Sequence, residues 1–158
     1  VKVRQYCYFA LKSVELSAAD IACSLQMDAD EVLVMGSRSA EHCIPRCHAW
    51  KIVRRSTESV DDQIQHLVDR LRPVRGRLVS LVAETEVSPV MQVVRCFHDP
   101  DGVNAAPSTT QFDLASRWPR PRGWHQSLPV LEFLSSTRTE LDVDEYDFSP
   151  DEGESIDE

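Results

Sequence analysis

From Val3 to Leu11 the apolar residues Val3, Cys7, Phe9 and Leu11 fall on alternate positions, with Gln5 as the one polar intruder. Lys2, Arg4, Tyr6 and Tyr8 fall between them, and this period of two with aromatic content predicts a strand. Leu16 to Gln26 predicts a helix. Ser17 is placed to cap it, Asp20 stands at the third helical position, and Leu16 and Ile21 form a hydrophobic staple. Residues 28–47 are ambiguous: Glu31 to Met35 reads as a short strand and Gly36 to Pro45 as loop. His48 to Arg54 is again a strand, with Trp50 and Ile52 on one face. The strongest helical pattern runs from Ser59 to Glu84. Ile64, Leu67, Val68 and Leu71 repeat at helical spacing, and after the break that Pro73 imposes, Val74, Leu78, Leu81 and Val82 repeat again.

Pro89 to His98 is apolar on both faces and predicts a central strand. Asp99-Pro100-Asp101-Gly102 is turn chemistry, and Phe112 and Leu114 suggest a short strand pairing back as a hairpin. Residues 117–126 should not be helical. Ser127 is placed to cap a short helix carrying Leu128, Leu131 and Leu134. Leu141 to Phe148 alternates as a last strand. This order predicts one α+β domain over residues 1–148, with a mainly antiparallel sheet of about four or five strands and about three helices on one face, a ferredoxin-like variant. Residues 149–158 are expected to form a disordered acidic tail.

Composition narrows the function. The chain has 158 residues and a net charge of −9, with 5 Gly and 9 Pro. Ten of its 26 carboxylates lie between Glu140 and Glu158, where no basic residue occurs; the remaining 16 face 17 Lys and Arg. The body is near neutral, and the acidic end repels nucleic acid and anionic membrane. No signal segment and no apolar run near the roughly 20 residues of a membrane span is present. The cysteines, Cys7, Cys23, Cys43, Cys47 and Cys96, are odd in number, and the first two and the last sit in apolar patterns. Reduced thiols in a cytoplasm are the expectation.

Several segments resemble one bacterial family. Leu25 to Asp30 is similar to its turn after the first helix, with Gln26 where a glycine is usual and Ala29 where a proline is usual. Gly36 resembles the glycine that follows, Trp50 its tryptophan, Asp61 to Leu71 its leucine-rich helix ended by Pro73, and Glu140 to Phe148 its closing strand. The family is the bacterial domain of unknown function family 4279. The resemblance implies a small α+β protein, brings no reaction or catalytic residues, and points to toxin–immunity neighbourhoods.

Two clusters carry candidate chemistry. His42, Cys43, Cys47 and His48 offer zinc's preferred donors, but their Cys-x3-Cys stands alone, and a strand beginning at His48 would turn Cys47 and His48 to opposite faces. Arg117, Trp118, Arg120, Arg122 and Trp124 combine the residue types that carry interface energy or grip single-stranded nucleic acid. The carboxylates Asp142, Asp144 and Glu145 fit a cation site or a solvated strand face equally well. His66 reads as solvated, and no carboxylate near in sequence orients His98 or His125. No nucleophile elbow, phosphate loop, dinucleotide fingerprint or zinc-protease pattern occurs. The sequence therefore favours a non-catalytic module without cofactor that binds another protein through residues 117–124, potentially a toxin it neutralises. A metal-binding protein or metal enzyme built on His42, Cys43, Cys47 and His48, and a single-strand binder built on the Arg/Trp loop, are the alternatives.

Overall fold

A computed structural model describes residues 2–104 and 123–149. The chain runs β1 (Lys2–Ser13), α1 (Ala18–Leu25), β2 (Glu31–Leu33), β3 (His48–Arg55), α2 (Val60–Leu71), a 3-10 turn (Arg72–Val74), α3 (Arg75–Glu84), β4 (Ser88–Phe97), β5 (Val103–Asn104), α4 (Leu128–Ser136) and β6 (Glu140–Asp147). The strands form one sheet in the order β2-β3-β1-β4-β6, with β5 pairing to β1 beside that path. β1 is antiparallel to β3, β4 and β5, and β2 is antiparallel to β3. That inner order, 2-3-1-4, is the ferredoxin-like arrangement of two interleaved strand–helix–strand units. β6 extends it by lying parallel to β4, reached through α4.

The local signals explain the helices. At α1 the Ser17 hydroxyl accepts the Asp20 amide, and the Asp20 carboxylate accepts the Ser17 amide in return, a capping box. The same helix ends in a Schellman motif: the Gln26 amide bonds the Cys23 carbonyl and the Met27 amide the Ala22 carbonyl. Gln26 itself sits in the left-handed region at φ 53°, the conformation that favours the glycine usual there. Ser59 caps α2 through the Asp62 amide. Pro73 then falls inside the 3-10 turn, where the missing N–H costs little, and α3 restarts the helix.

Helices cover one face of the sheet. Cys7, Phe9 and Leu11 of β1, Trp50 and Ile52 of β3, and Met91 and Val93 of β4 pack there against Ile21, Leu25, Ile64, Leu67, Leu71 and Leu78. Each fully buried aliphatic side chain contributes about 1.5–3 kcal/mol. Trp50 is wholly buried, and its indole N–H donates to the Met27 carbonyl at 3.2 Å, tying β3 to the end of α1. Residues 89–97 of β4 are buried throughout, as expected of a central strand.

Several expectations change. Ser127 stands at the start of α4, but its side chain makes no cap bond; its carbonyl accepts the Val130 and Leu131 amides instead. Val103 and Asn104, which no sequence pattern marks as a strand, form β5 and pair with Val3 and Lys2 of β1 after the turn at Asp99. Cys23 is exposed, since the apolar stripe of α1 runs through Ile21 and Leu25. The predicted strand at Phe112 and Leu114 and the tail at 150–158 lie outside the described residues. Among the described residues no helix is long and apolar enough to cross a membrane.

Candidate partner-binding surface

Among the described residues the other sheet face carries no helix, although Ala10, Val90, Gln92 and Val94 on it are buried. By strand register it presents Tyr6, Tyr8, Ala10 and Lys12 from β1, Lys51, Val53 and Arg55 from β3, Gln92 and Val94 from β4, and Glu140, Asp142, Asp144 and Tyr146 from β6. The Tyr6 and Tyr8 rings stack with centroids 6.4 Å apart. Lys51 Nζ lies 4.6 Å over the Tyr8 ring, and the Arg55 guanidinium 5.3 Å over Tyr6. Burial pushes the Tyr8 phenol up, helped by Tyr6 and by Asp144 and Asp142. Burial also pulls the Lys51 ammonium down, against the pull of Glu31. Both shifts mark a partly desolvated patch. The face grades from cationic over β3 to anionic over β6, where Gln92 donates to Asp144 at 3.2 Å.

A notch interrupts the β3 side. β3 pairs with β1 from Tyr6 onward, and β5 only at Lys2 and Val3. Between them Arg4 and Gln5 line a cleft of about 310 Å³, together with Tyr6, Arg55, Thr57 and Gly102. Gly102 is required here: a Cβ would sit 2.8 Å from the Val3 carbonyl carbon. Arg4 is held by the Asp99 carboxylate at 2.7 Å, and Arg55 by Glu31 at 2.7 Å.

Among the described residues β6 forms the far edge of the sheet, and all eight of its residues are exposed. Among the described residues twelve large hydrophobic side chains are exposed, and six of them belong to α4, β6 and Phe148: Leu128, Leu131, Leu141, Val143, Tyr146 and Phe148. Half of these exposed apolar side chains thus fall within the last 22 described positions, with Leu141 and Val143 on one face of β6 and Tyr146 on the other.

The sequence-derived candidates are placed as follows. His42 and Cys43 lie exposed in the loop between β2 and β3, Cys47 is half-buried, and His48 Nδ1 accepts the Met35 amide at 3.2 Å. Among the described residues no three His, Cys, Asp or Glu side chains gather into a group able to hold a metal ion, so these four do not form one. Trp124 is half-buried against the hydrophobic core. Arg117, Trp118, Arg120 and Arg122 lie outside the described residues. His66 is exposed. Tertiary packing supplies carboxylates that sequence proximity does not: His125 Nδ1 meets Asp61 at 2.9 Å, and His98 Nδ1 meets Asp147 at 2.8 Å. Ser149 Oγ also lies 2.8 Å from His98, but it shares Nδ1 with Asp147. A catalytic relay needs the hydroxyl and the carboxylate on opposite ring nitrogens, so this trio is a cap at the end of β6.

The tyrosine ladder has a sequence signal in the alternation of β1, which sets Tyr6 and Tyr8 on the non-core side. Its cations come from β3, and only the strand register brings them over the rings. A family model described as "Domain of unknown function (DUF4279)" matches residues 2–148. No curated protein and no solved structure matches the chain.

Proposed function

The chain belongs to the DUF4279 family of domains of unknown function, and from that premise we propose that it is a non-catalytic module that binds another protein. The observation that carries this reading is that α4, β6 and Phe148 bear half of the large apolar side chains exposed among the described residues: Leu128, Leu131, Leu141, Val143, Tyr146 and Phe148. Exposed apolar and aromatic side chains rimmed by charge are the material of protein interfaces. The trio at the end of β6 fits the same reading, because Ser149 and Asp147 meet His98 at one ring nitrogen, which is no arrangement for a relay. A toxin encoded beside this chain's gene is the first partner to try, since the family resemblance points to such neighbourhoods. Tagged protein mixed with lysate of its source cell at low salt should retain one protein in near-equal amount. Retention of nothing would overturn the proposal.

A second reading rests on Tyr6 and Tyr8 with Lys51 and Arg55 above them. Half-buried aromatic rings beside cations on a sheet face suit stacked bases of a single strand, each stacked base contributing about 1–3 kcal/mol. The carboxylates of β6 on the same face oppose it. A low-salt titration with an oligothymidine separates the two: binding that Tyr8→Ala weakens favours nucleic acid, and no binding leaves the protein partner.

A further inference from the structure

We propose that the outer edge of β6 accepts an extended strand of the partner in which basic and apolar residues alternate. The inference rests on the protein-binding reading and specifies its site. β6 ends the sheet, so one side of its backbone has no neighbouring strand among the described residues. At eight residues it is far longer than β2, the three-residue strand at the opposite edge. A strand that adds to such an edge gains affinity from main-chain hydrogen bonds and specificity from alternate side chains.

The register of β6 states what those side chains should be. Glu140, Asp142 and Asp144 point to the open face, and Leu141 and Val143 to the helix-covered face, each 39% exposed. β6 carries five carboxylates, Glu140, Asp142, Asp144, Glu145 and Asp147, and no cation. Glu145 is matched by Arg95 at 2.7 Å and Asp147 by His98. Among the described residues the Glu140 and Asp142 side chains make no hydrogen bond or ion pair, which leaves their charge available to an incoming cation. An added strand would therefore set Lys or Arg over the open-face carboxylates and apolar residues beside Leu141 and Val143. The same charges oppose pairing with a second copy, where carboxylates would stand against carboxylates. The edge is closed to itself and open to a basic strand.

The probe is a labelled peptide of about ten residues, the length of a long strand, alternating Arg with Val. Its controls are the Glu–Val counterpart and the Arg–Val peptide N-methylated at every amide, which keeps the charge and removes the donors. At low salt the plain Arg–Val peptide should bind at least tenfold more tightly than either control and slow amide exchange across residues 140–147. The double variant Glu140→Lys, Asp142→Lys should lose at least tenfold in affinity. Equal binding of the methylated peptide, unchanged exchange in β6, or no binding of the plain peptide would overturn the inference. The double variant also separates it from the broader reading. If it retains the lysate partner undiminished, strand addition is wrong and the binding module stands; if wild type retains nothing, the module itself falls.

Discussion

Replacing Gln26 by glycine should stabilise the protein, and Gln26→Ala should not. Gln26 holds φ 53° and ψ 43° at the end of α1, where a side chain costs about 1–2 kcal/mol relative to the right-handed region. Glycine removes that cost but loses about 0.5–1 kcal/mol to the greater freedom of the unfolded chain. The Gln26 side chain also accepts from Arg77 Nη1 at 2.9 Å in an exposed position. Glycine and alanine lose that contact alike, so their difference isolates the backbone. Gln26→Gly should exceed Gln26→Ala by about 0.5–1 kcal/mol, or about 1–4 °C in Tm for a chain of this size. Urea unfolding with an unchanged slope is the assay. A glycine variant no more stable than the alanine variant would refute the assignment of a left-handed turn at Gln26.

Trp50→Phe should cost about 2–4 kcal/mol in denaturant unfolding, through the cavity it leaves and the unpaired Met27 carbonyl; a cost below about 1 kcal/mol would show that the indole anchor is dispensable. Burial pushes the Cys7 thiol from its ordinary 9.0 to about 12. The folded state therefore keeps the proton that the unfolded chain releases, and stability that is full below pH 9 falls as pH rises toward 12. Cys7→Ala should flatten that alkaline loss, and an identical slope in the variant would contradict it. The Asp147 carboxyl is held at about 2, first by the Ser149 hydroxyl and then by His98. Its contribution is present above the ordinary carboxylate range and is lost as pH falls through about 2. A carbon-detected NMR titration should show that midpoint in wild type and a higher one in Ser149→Ala; an unshifted midpoint in the variant would remove the hydroxyl as cause.

The elements set by short-range rules were legible in sequence. Ser17 with Asp20 announced α1, Pro73 the break between α2 and α3, and the two apolar faces of residues 89–97 the central place of β4. The ferredoxin-like arrangement followed from element order. Relations across distant segments were not legible. Nothing local tells that Val103 meets Val3, that Asp61 holds His125, or that β6 ends the sheet beside β4. The tyrosine ladder shows the same limit: Tyr6 and Tyr8 were visible on the outer side of β1, but Lys51 and Arg55 join them only through pairing with β3. The His/Cys segment shows the limit differently. Four suitable donors stand close in sequence, but among the described residues no three such side chains gather there, because the loop between β2 and β3 sets their positions and sequence spacing does not.

The place of β1 also bears on how the chain is made. β1 leaves the ribosome before the other strands of this sheet, yet its neighbour on one side is β4, with Val3 against Phe97. At about 5–20 residues per second, synthesis leaves that side of β1 without its partner for several seconds. During that interval Phe9 and Leu11 have neither β4 beside them nor the later helices above them. The nascent β1 is thus a sticky strand paired on one side at most, and chains truncated before β4 should depend on chaperones to stay in solution.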